Sequence, residues 1–204
     1  MGAYTWTHVR IDKLNKKQIE KCINHAKMLA KGTLYENYSN MTWNDALKSW
    51  IDFHNKERDY FINACGLTEE KLSKEFLTRK LKRELSQHKL KLKCYDMCLS
   101  GEMSIKEMLK KTHQFKYGDF IILKRKGQYY IDIRTEIFRN YEYCEDEFTT
   151  VDSLINHCRN CKNEQFLDYS KNNCEYEKWS QELEDKVRKY YTEIGDDNFI
   201  VTFG

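Results

Sequence analysis

The sequence predicts an α+β protein: a helical N-terminal portion, followed by a small, mostly antiparallel sheet with a packed C-terminal amphipathic helix. Two observations lead to this class. Apolar residues recur at helical spacing from Asn15 to about Thr112. They then alternate with polar residues before position 134, which is the period of a strand. We expect a single compact unit over residues 1–204, made of a helical portion, 12–113, and a sheet-plus-helix portion, 114–204.

A β-hairpin is predicted over residues 120–133. Residues 120–123 form a short apolar run, and apolar and polar side chains alternate from Tyr129 to Ile133. Residues 124–127, Lys-Arg-Lys-Gly, supply the turn, because Gly127 can adopt a positive φ. Three more segments have strand character: residues 4–11, 137–143 and 198–203. We expect the last of them to join the sheet.

Helix signals fill the N-terminal portion. Asn15 and Gln18 form a capping box for a first helix, which Gly32 ends. Residues 33–41 are predicted to be a polar loop. Thr42 then caps a second helix that runs to Gly66. Its buried stripe is predicted to contain Trp43, Ala46, Leu47, Trp50, His54, Phe61 and Ala64.

A third, long helix is predicted over residues 69–99, with Thr68 as its N-cap and Gly101 as its stop. Its apolar residues step by three and four positions, as in a heptad seam. The seam consists of Leu81, Leu85, His88, Leu92, Tyr95 and Leu99. It can pack inside the monomer or against a copy of itself, so the oligomeric state is open.

Shorter helices are predicted later in the chain. Ser104 and Glu107 form a capping box for a helix that ends near Thr112. Thr150 caps another helix. The inward positions of that helix are Val151, Leu154, Ile155 and Cys158. A last, strongly amphipathic helix has the inward positions Tyr176, Trp179, Leu183, Val187, Tyr190 and Ile194.

The chain carries no sign of secretion or membrane insertion. No window approaches the roughly 20 apolar residues of a membrane span, and residues 1–12 contain no apolar signal-peptide core. We therefore expect a soluble, cytoplasmic protein that does not interact with membranes. In that compartment its 8 cysteines are expected to be reduced thiols.

Charge is distributed unevenly along the chain, although the net formal charge is only +3. Residues 1–133 contain 26 Lys and Arg against 16 Asp and Glu, whereas residues 134–204 contain 9 against 16. This asymmetry indicates a basic surface for nucleic acid and an acidic one for a basic partner. The asymmetry has two alternative explanations. The two halves of the chain attract each other in the fold, or both are ordinary solvated surfaces.

The first candidate site is the basic segment 71–93 of the long helix. Its nine Lys and Arg side chains can follow a phosphate backbone and release its counterions. The predicted nucleic-acid-binding residues are Arg79, Lys80, Lys82, Arg83 and Lys89, extended by Lys124, Arg125 and Lys126 at the hairpin tip. No RNA-recognition, helix-turn-helix or KH pattern accompanies them. A Lys-rich exposed helix is more often simply a solvated surface.

The second candidate is a structural zinc site formed by Cys144, Cys158, Cys161 and Cys174. Cys158 and Cys161 have the two-residue gap of one half of a tetrahedral zinc site. Cys144 and Cys174 form no such pair, so the fold would have to bring them together. Buried core thiols are the alternative, and no other cofactor is predicted.

The sequence contains no recognisable catalytic motif. A nucleophile elbow, a phosphate-binding glycine loop, a metalloprotease His-Glu pair and a nuclease signature are all missing. We therefore expect a non-enzymatic interaction protein that acts by surface contact with a protein or a protein–nucleic acid complex. Direct nucleic-acid binding by the helix 71–93 is the alternative function.

Composition narrows the first of these expectations. The chain has no proline and is rich in Lys, Asn, Ile and Tyr, whose codons are AT-rich. That usage fits a low-GC bacterium or one of its phages or plasmids. A small cytosolic protein of this kind would suit a phage or plasmid product that blocks a host machine, such as an anti-CRISPR-like inhibitor. Acidic residues would then mimic the charge of nucleic acid toward the partner. The predicted partner-binding residues are Glu142, Glu145, Asp146 and Glu147.

Overall fold

The computed structural model describes residues 5–112, 115, 118–133, 144–160, 166–167, 176–177 and 179–203, with the backbone alone at 33, 144, 166–167 and 176–177. It confirms the α+β class. The chain divides into two compact units. Met1–Asn24 and Ile105–Gly204 form one, here called the sheet unit, and His25–Ser104 form the other, the helical unit. The expectation of a single compact unit stays a prediction.

The elements follow one another in the order that the sequence indicates. The helices are α1 (Lys16–Lys31), α2 (Thr33–Tyr38), α3 (Trp43–Lys56), α4 (Arg58–Asn63), α5 (Lys74–Ser100), α6 (Ile105–Lys111), α7 (Val151–Asn160) and α8 (Gln181–Ile194). The strands are β1 (Thr5–Arg10), β2 (Ile122–Arg125), β3 (Gln128–Asp132), β4 (Cys144–Phe148), β5 (Phe166–Leu167), β6 (Tyr176–Glu177) and β7 (Phe199–Phe203). Among the residues described, no helix is both long and apolar enough to span a membrane.

The main sheet has the strand order β2-β3-β1-β7-β4, and every pair in it is antiparallel. β5 and β6 form a separate two-stranded ribbon. β7 joins the sheet as predicted, beside β1, with Thr7 opposite Val201 and Val9 opposite Phe199. Ile200 and Val201, which point to opposite faces of the sheet, are both buried. The centre of the sheet is therefore covered on both faces.

The hairpin forms as predicted, but its turn is shorter. β2 extends through Lys124 and Arg125, so these two residues lie in a strand. The turn consists of Lys126 and Gly127, with φ values of 48° and 77°. Two consecutive positive φ values are those of a type I′ turn, whose twist matches that of the flanking strands. The third strand predicted over 137–143 lies outside the described residues.

Three details of the helical unit differ from the prediction. Residues 33–38, assigned to a loop, form α2. The second helix is interrupted at Glu57, which separates α3 from α4. Thr68 precedes a 3-10 turn, Glu69–Leu72, and Ser73 is the N-cap of α5. Ser73 takes this role because its backbone is extended and its Oγ accepts from the N–H of Phe76, at 3.3 Å.

The core of the helical unit lies where α3 meets α5. Ala46, Trp50, Leu77 and Leu81 are buried there, and residues of α2 and α3 pack around them. Tyr38 meets Trp50 edge to face, with 5.8 Å between the ring centroids. Trp43 is 41% exposed, so its assignment to the buried stripe was wrong. It stands in the first turn of α3, before the helix meets its neighbours.

In the sheet unit, charged side chains join α7 to α8. Glu184 is almost fully buried, and its carboxylate accepts two hydrogen bonds of 2.7 Å from Arg159. Arg188 contacts the same carboxylate at 3.4 Å and Asp152 at 3.0 Å. The Arg159 guanidinium is the main reason why the pKa of Glu184 lies below its usual value.

The start of α8 and the residues that it buries differ slightly from the prediction. It begins after Ser180, whose Oγ accepts from the N–H of Leu183, so Trp179 precedes the helix and Tyr176 lies in β6. Tyr191 is fully buried, whereas Tyr190, predicted to face inward, is half-buried. The Tyr191 hydroxyl lies 2.9 Å from that of Thr7. This hydrogen bond fixes the rotation of α8 over β1.

Replacing Glu184 with Gln should destabilise the protein by about 2 kcal/mol, since a charge-assisted pair is lost in a buried place. Glu182→Gln is the matched control on the same helix. Its partner, Lys186, lies four residues on and both side chains are exposed, so the loss should stay below about 0.5 kcal/mol. Urea unfolding followed by circular dichroism measures both values. Equal losses would contradict the role given to Glu184.

Candidate functional site

The exposed side of α5 carries a stripe of basic side chains. Lys82, Lys89 and Lys93 are all exposed. Steps of seven and four residues keep them within about 40° around the helix axis. Eleven residues separate the first from the last, which is roughly 16 Å along the axis. We call these three residues the basic stripe; Arg79 and Arg83 are exposed at its side.

The stripe is not neutralised by the described parts of its own chain. Lys82, Lys89 and Lys93 form no ion pair with any residue that the structure describes, and neither does Arg83. Arg79 is contacted by Glu75 at 3.8 Å, but both side chains are more than two-thirds exposed. Such a pair contributes little. The positive charge therefore faces solvent.

Lys80, another predicted binding residue, is used differently. It is only half-exposed, and its Nζ lies 5.7 Å from the centre of the Trp50 ring. This cation–π contact places Lys80 beside the core of the helical unit. Trp50 in turn contacts His54 with its ring tilted, at 4.1 Å between the ring centroids. Sequence reasoning missed this arrangement, because the pairing of α3 with α5 creates it.

A pocket of about 200 Å³ opens next to these residues. Its apolar lining consists of Leu67, Phe76 and Leu77. Lys71, Lys80 and Arg83 supply positive charge, and His54 completes the wall. Burial is the main cause that lowers the pKa of His54, so the imidazole is neutral at neutral pH. The Nδ1 of His54 lies 2.8 Å from the carbonyl of Trp50 and donates to it.

Of the three basic hairpin residues predicted to extend the nucleic-acid surface, two contact other side chains and one is exposed. Lys124 lies 5.5 Å from the centre of the Tyr129 ring, and Arg125 contacts Glu147 at 2.5 Å. Both side chains therefore have partners within the sheet unit. Lys126 is exposed in the turn. The structure brings together Arg125 and Glu147, which had been assigned to two different predicted sites.

The Arg125–Glu147 contact joins the two edge strands of the sheet. A flat five-stranded sheet would separate β2 from β4 by roughly 19 Å. The contact therefore requires the observed curl of the sheet. The other acidic residues predicted to bind a partner, Glu145 and Asp146, are exposed on β4, and Glu142 lies outside the described residues. Their role in partner binding stays a prediction.

The predicted zinc ligands are described only in part. Cys158 is buried in α7, and Cys144 lies in β4. Cys161 and Cys174 lie outside the described residues. Within the part that is described, no three His, Cys, Asp or Glu side chains come together in a way that would hold a metal ion. The four-cysteine zinc site therefore stays a prediction.

His8 was not singled out from the sequence, although it lies at the centre of the curled sheet. It is 4% exposed and stands opposite Asp132 on β3 and Ile200 on β7. Neither of its ring nitrogens has a hydrogen-bond partner among the described residues. Burial, and then the Arg125 guanidinium, lower the pKa of His8 to about 4, while Glu147 acts in the opposite direction. The signal that could have identified His8 is its position within β1, a strand that is covered on both faces.

His8 should make the protein sensitive to mild acid. Its pKa is about 4 in the folded state and about 6.5 in the unfolded state, so only the unfolded state gains a proton between these values. The stability that depends on neutral His8 is therefore fully present above pH 6.5 and is lost as the pH falls toward 4. We expect wild type to lose about 2 kcal/mol more than His8→Gln between pH 7 and pH 5. Urea unfolding at both pH values measures this difference, and equal losses would contradict it.

The two edge residues should shift the pKa of His8 in opposite directions. Arg125→Met removes a positive charge that lowers this pKa, so the value should rise above about 4. Glu147→Gln removes a negative charge that raises it, so the value should fall. NMR titration of the His8 ring carbons measures both changes. A shift of the same sign in the two variants would show that the histidine responds to a general loosening of the sheet.

Comparisons with known proteins identify no relative whose function could guide the interpretation of this chain. No family model matches the chain, and neither a curated protein nor a solved structure does. Function depends on the chemistry of particular sites rather than on the fold class. Two such places are described above: the basic stripe with its neighbouring pocket, and the buried His8, whose pKa is influenced by Arg125 and Glu147.

Proposed function

We propose that this protein binds nucleic acid, and that the basic stripe of α5 lies along the phosphate backbone. One observation carries the proposal: Lys82, Lys89 and Lys93 stand on one face of a long helix without an ion-pair partner in the described chain. Some basic side chains of the protein are neutralised by the fold, as Arg159 and Arg188 are by Glu184. The alignment of the three unpaired lysines along one helix face is what favours a ligand for the stripe.

The dimensions of the stripe suit this partner. Along a helix of nucleic acid, the phosphates of one strand follow each other at about 3.4 Å of axial rise. A stripe of roughly 16 Å therefore passes about five of them. Each Lys that contacts a phosphate releases condensed counterions, which favours binding at low salt. A lysine ammonium is a point charge on a flexible chain, which suits contact with phosphates, so we expect binding through the backbone.

The proposal agrees with the wider expectation of a non-enzymatic protein that acts by surface contact. Contact with a protein–nucleic acid complex would use the same stripe. The narrower expectation of a phage or plasmid inhibitor that mimics nucleic acid through Glu145 and Asp146 stays a prediction. The two ideas differ in the charge of the binding surface. A mimic of nucleic acid binds its partner through acidic residues and does not bind nucleic acid itself.

The triple variant Lys82→Glu, Lys89→Glu, Lys93→Glu should bind nucleic acid at least about 100-fold more weakly than wild type, because three phosphate contacts become repulsive. The plot of log affinity against log salt concentration should become less steep by two to three, at about 0.7–0.9 per lost contact. Fluorescence anisotropy with labelled 20-nucleotide DNA, single-stranded and duplex, at several salt concentrations measures both quantities.

The matched control is Lys17→Glu, Lys106→Glu, Lys110→Glu. These lysines are also exposed and outside ion pairs with described residues, and the change in net charge is the same. They lie on two other helices, so the control should bind within a few-fold of wild type. Equal losses in the two triple variants would reject the stripe as the binding surface. A wild-type protein that binds neither probe at low salt would reject nucleic-acid binding altogether.

A further inference from the structure

The pocket beside α5 combines two kinds of lining. Leu67, Phe76 and Leu77 line it with apolar side chains, and the basic residues Lys71, Lys80 and Arg83 also form part of its wall. A phosphate group alone would gain nothing from the apolar part. An apolar ligand alone would gain nothing from the cations. The lining therefore suits a ligand that has a flat or apolar body and a negatively charged group attached to it.

The pocket continues the basic surface of α5. Phe76, Lys80 and Arg83 follow each other by four and three residues, so they lie on one side of the helix. Lys71 approaches from the 3-10 turn that precedes α5. Arg83 is exposed and points about 100° away from Lys82 around the helix axis, so Arg79 and Arg83 lie between the stripe and the pocket. A strand that passes around α5 by way of these two arginines joins the stripe to the pocket.

His54 gives the pocket a neutral, fixed wall. Its ring is stacked on Phe61, with 5.0 Å between the centroids and 17° between the planes, and it meets the Trp50 ring in a tilted contact at 4.1 Å. Because Nδ1 donates to the Trp50 carbonyl and the ring is neutral, Nε2 remains a hydrogen-bond acceptor. A nucleobase offers what such a wall binds: a flat face, and amino or imino groups that donate.

We propose that this pocket receives one unpaired base of single-stranded nucleic acid. The base lies against Phe76, and the flanking phosphates contact Lys71 and Arg83. A volume of about 200 Å³ is smaller than the site of a drug-sized ligand and suits a single base. Stacking on an aromatic side chain tolerates any base, because every base has a π face. The inference rests on the proposed function, since the stripe would hold the strand that supplies the base.

Single strands should consequently be preferred over duplex. In a duplex the bases are stacked and paired, and one can enter the pocket only after it has been extruded. The stripe alone would favour duplex, whose density of phosphates is higher. Preference for single strands is thus the property that the pocket adds to the stripe.

The test uses the full chain and a 15-nucleotide DNA with one central 2-aminopurine, alone or paired with its complement. With wild type, we expect the fluorescence of 2-aminopurine in the single strand to change on binding, and single strands to bind more tightly than duplex. Phe76→Ala should weaken single-strand binding about 5- to 100-fold and leave duplex binding unchanged. Tyr60→Ala is the matched control, because Tyr60 is an exposed aromatic residue outside the pocket lining. It should change neither affinity.

A second variant guards against loss of folding in the first. Leu67→Glu leaves Phe76 in place and puts a negative charge at the pocket that repels the flanking phosphates, so it should reduce single-strand preference in the same way. Thermal melts confirm that both variants are folded. Unchanged single-strand affinity in both variants, with salt-dependent binding retained, would overturn the pocket assignment and leave the stripe intact. Absence of binding to any probe by wild type would overturn the pocket and the proposed function together.

Discussion

The pairing of β1 with β7 is the interaction on which the sheet unit depends. It joins residues near the two ends of the chain, from Thr5 opposite Phe203 to Val9 opposite Phe199. β3 with β2 is added on one side of this pair, and β4 on the other. α8 is fixed over it by the hydrogen bond between Thr7 and Tyr191. Loss of this pairing would leave the hairpin and β4 without a common partner.

Closing a loop of this length costs conformational entropy, which increases only slowly with the number of residues enclosed. Burial repays the cost. Phe199, Val201 and Phe203 lose almost all contact with water, and full burial of such side chains is worth about 1.5–3 kcal/mol each. The curl of the sheet also brings Arg125 and Glu147, which lie on its two edge strands, into contact. The sheet unit thus gains stability from pairs that are distant in sequence.

The two units use charged residues in different ways. In the sheet unit, Glu184 is buried and neutralised by two arginines, so its charge is consumed by the fold. On α5, the lysines of the basic stripe have no such partner among the described residues, and their charge stays available to a ligand. Basic side chains are therefore neutralised by the fold in one place and left exposed to solvent in the other. The difference follows from which elements pack against them.

Local signals in the sequence settled much of the secondary structure. The Asn15–Gln18 capping box forms both of its hydrogen bonds at 2.9 Å, and Gly101 ends α5 in the left-handed region. Both features involve residues within a few positions of each other. The start of α5 was wrong by five residues, because Thr68 and Ser73 are equally good caps by sequence. Only packing distinguishes them.

What the sequence determined by itself was the α+β class, the elements with strong periodicity, and a cluster of positive charge on one long helix. Periodicity and capping act over a few residues, so they can be read without knowing the fold. The tertiary structure decided that Arg125 meets Glu147, that Lys80 lies over Trp50, that a pocket opens beside Phe76, and that His8 is buried. Each of these depends on residues far apart in the chain, and only the packing of helices and the order of strands brings them together.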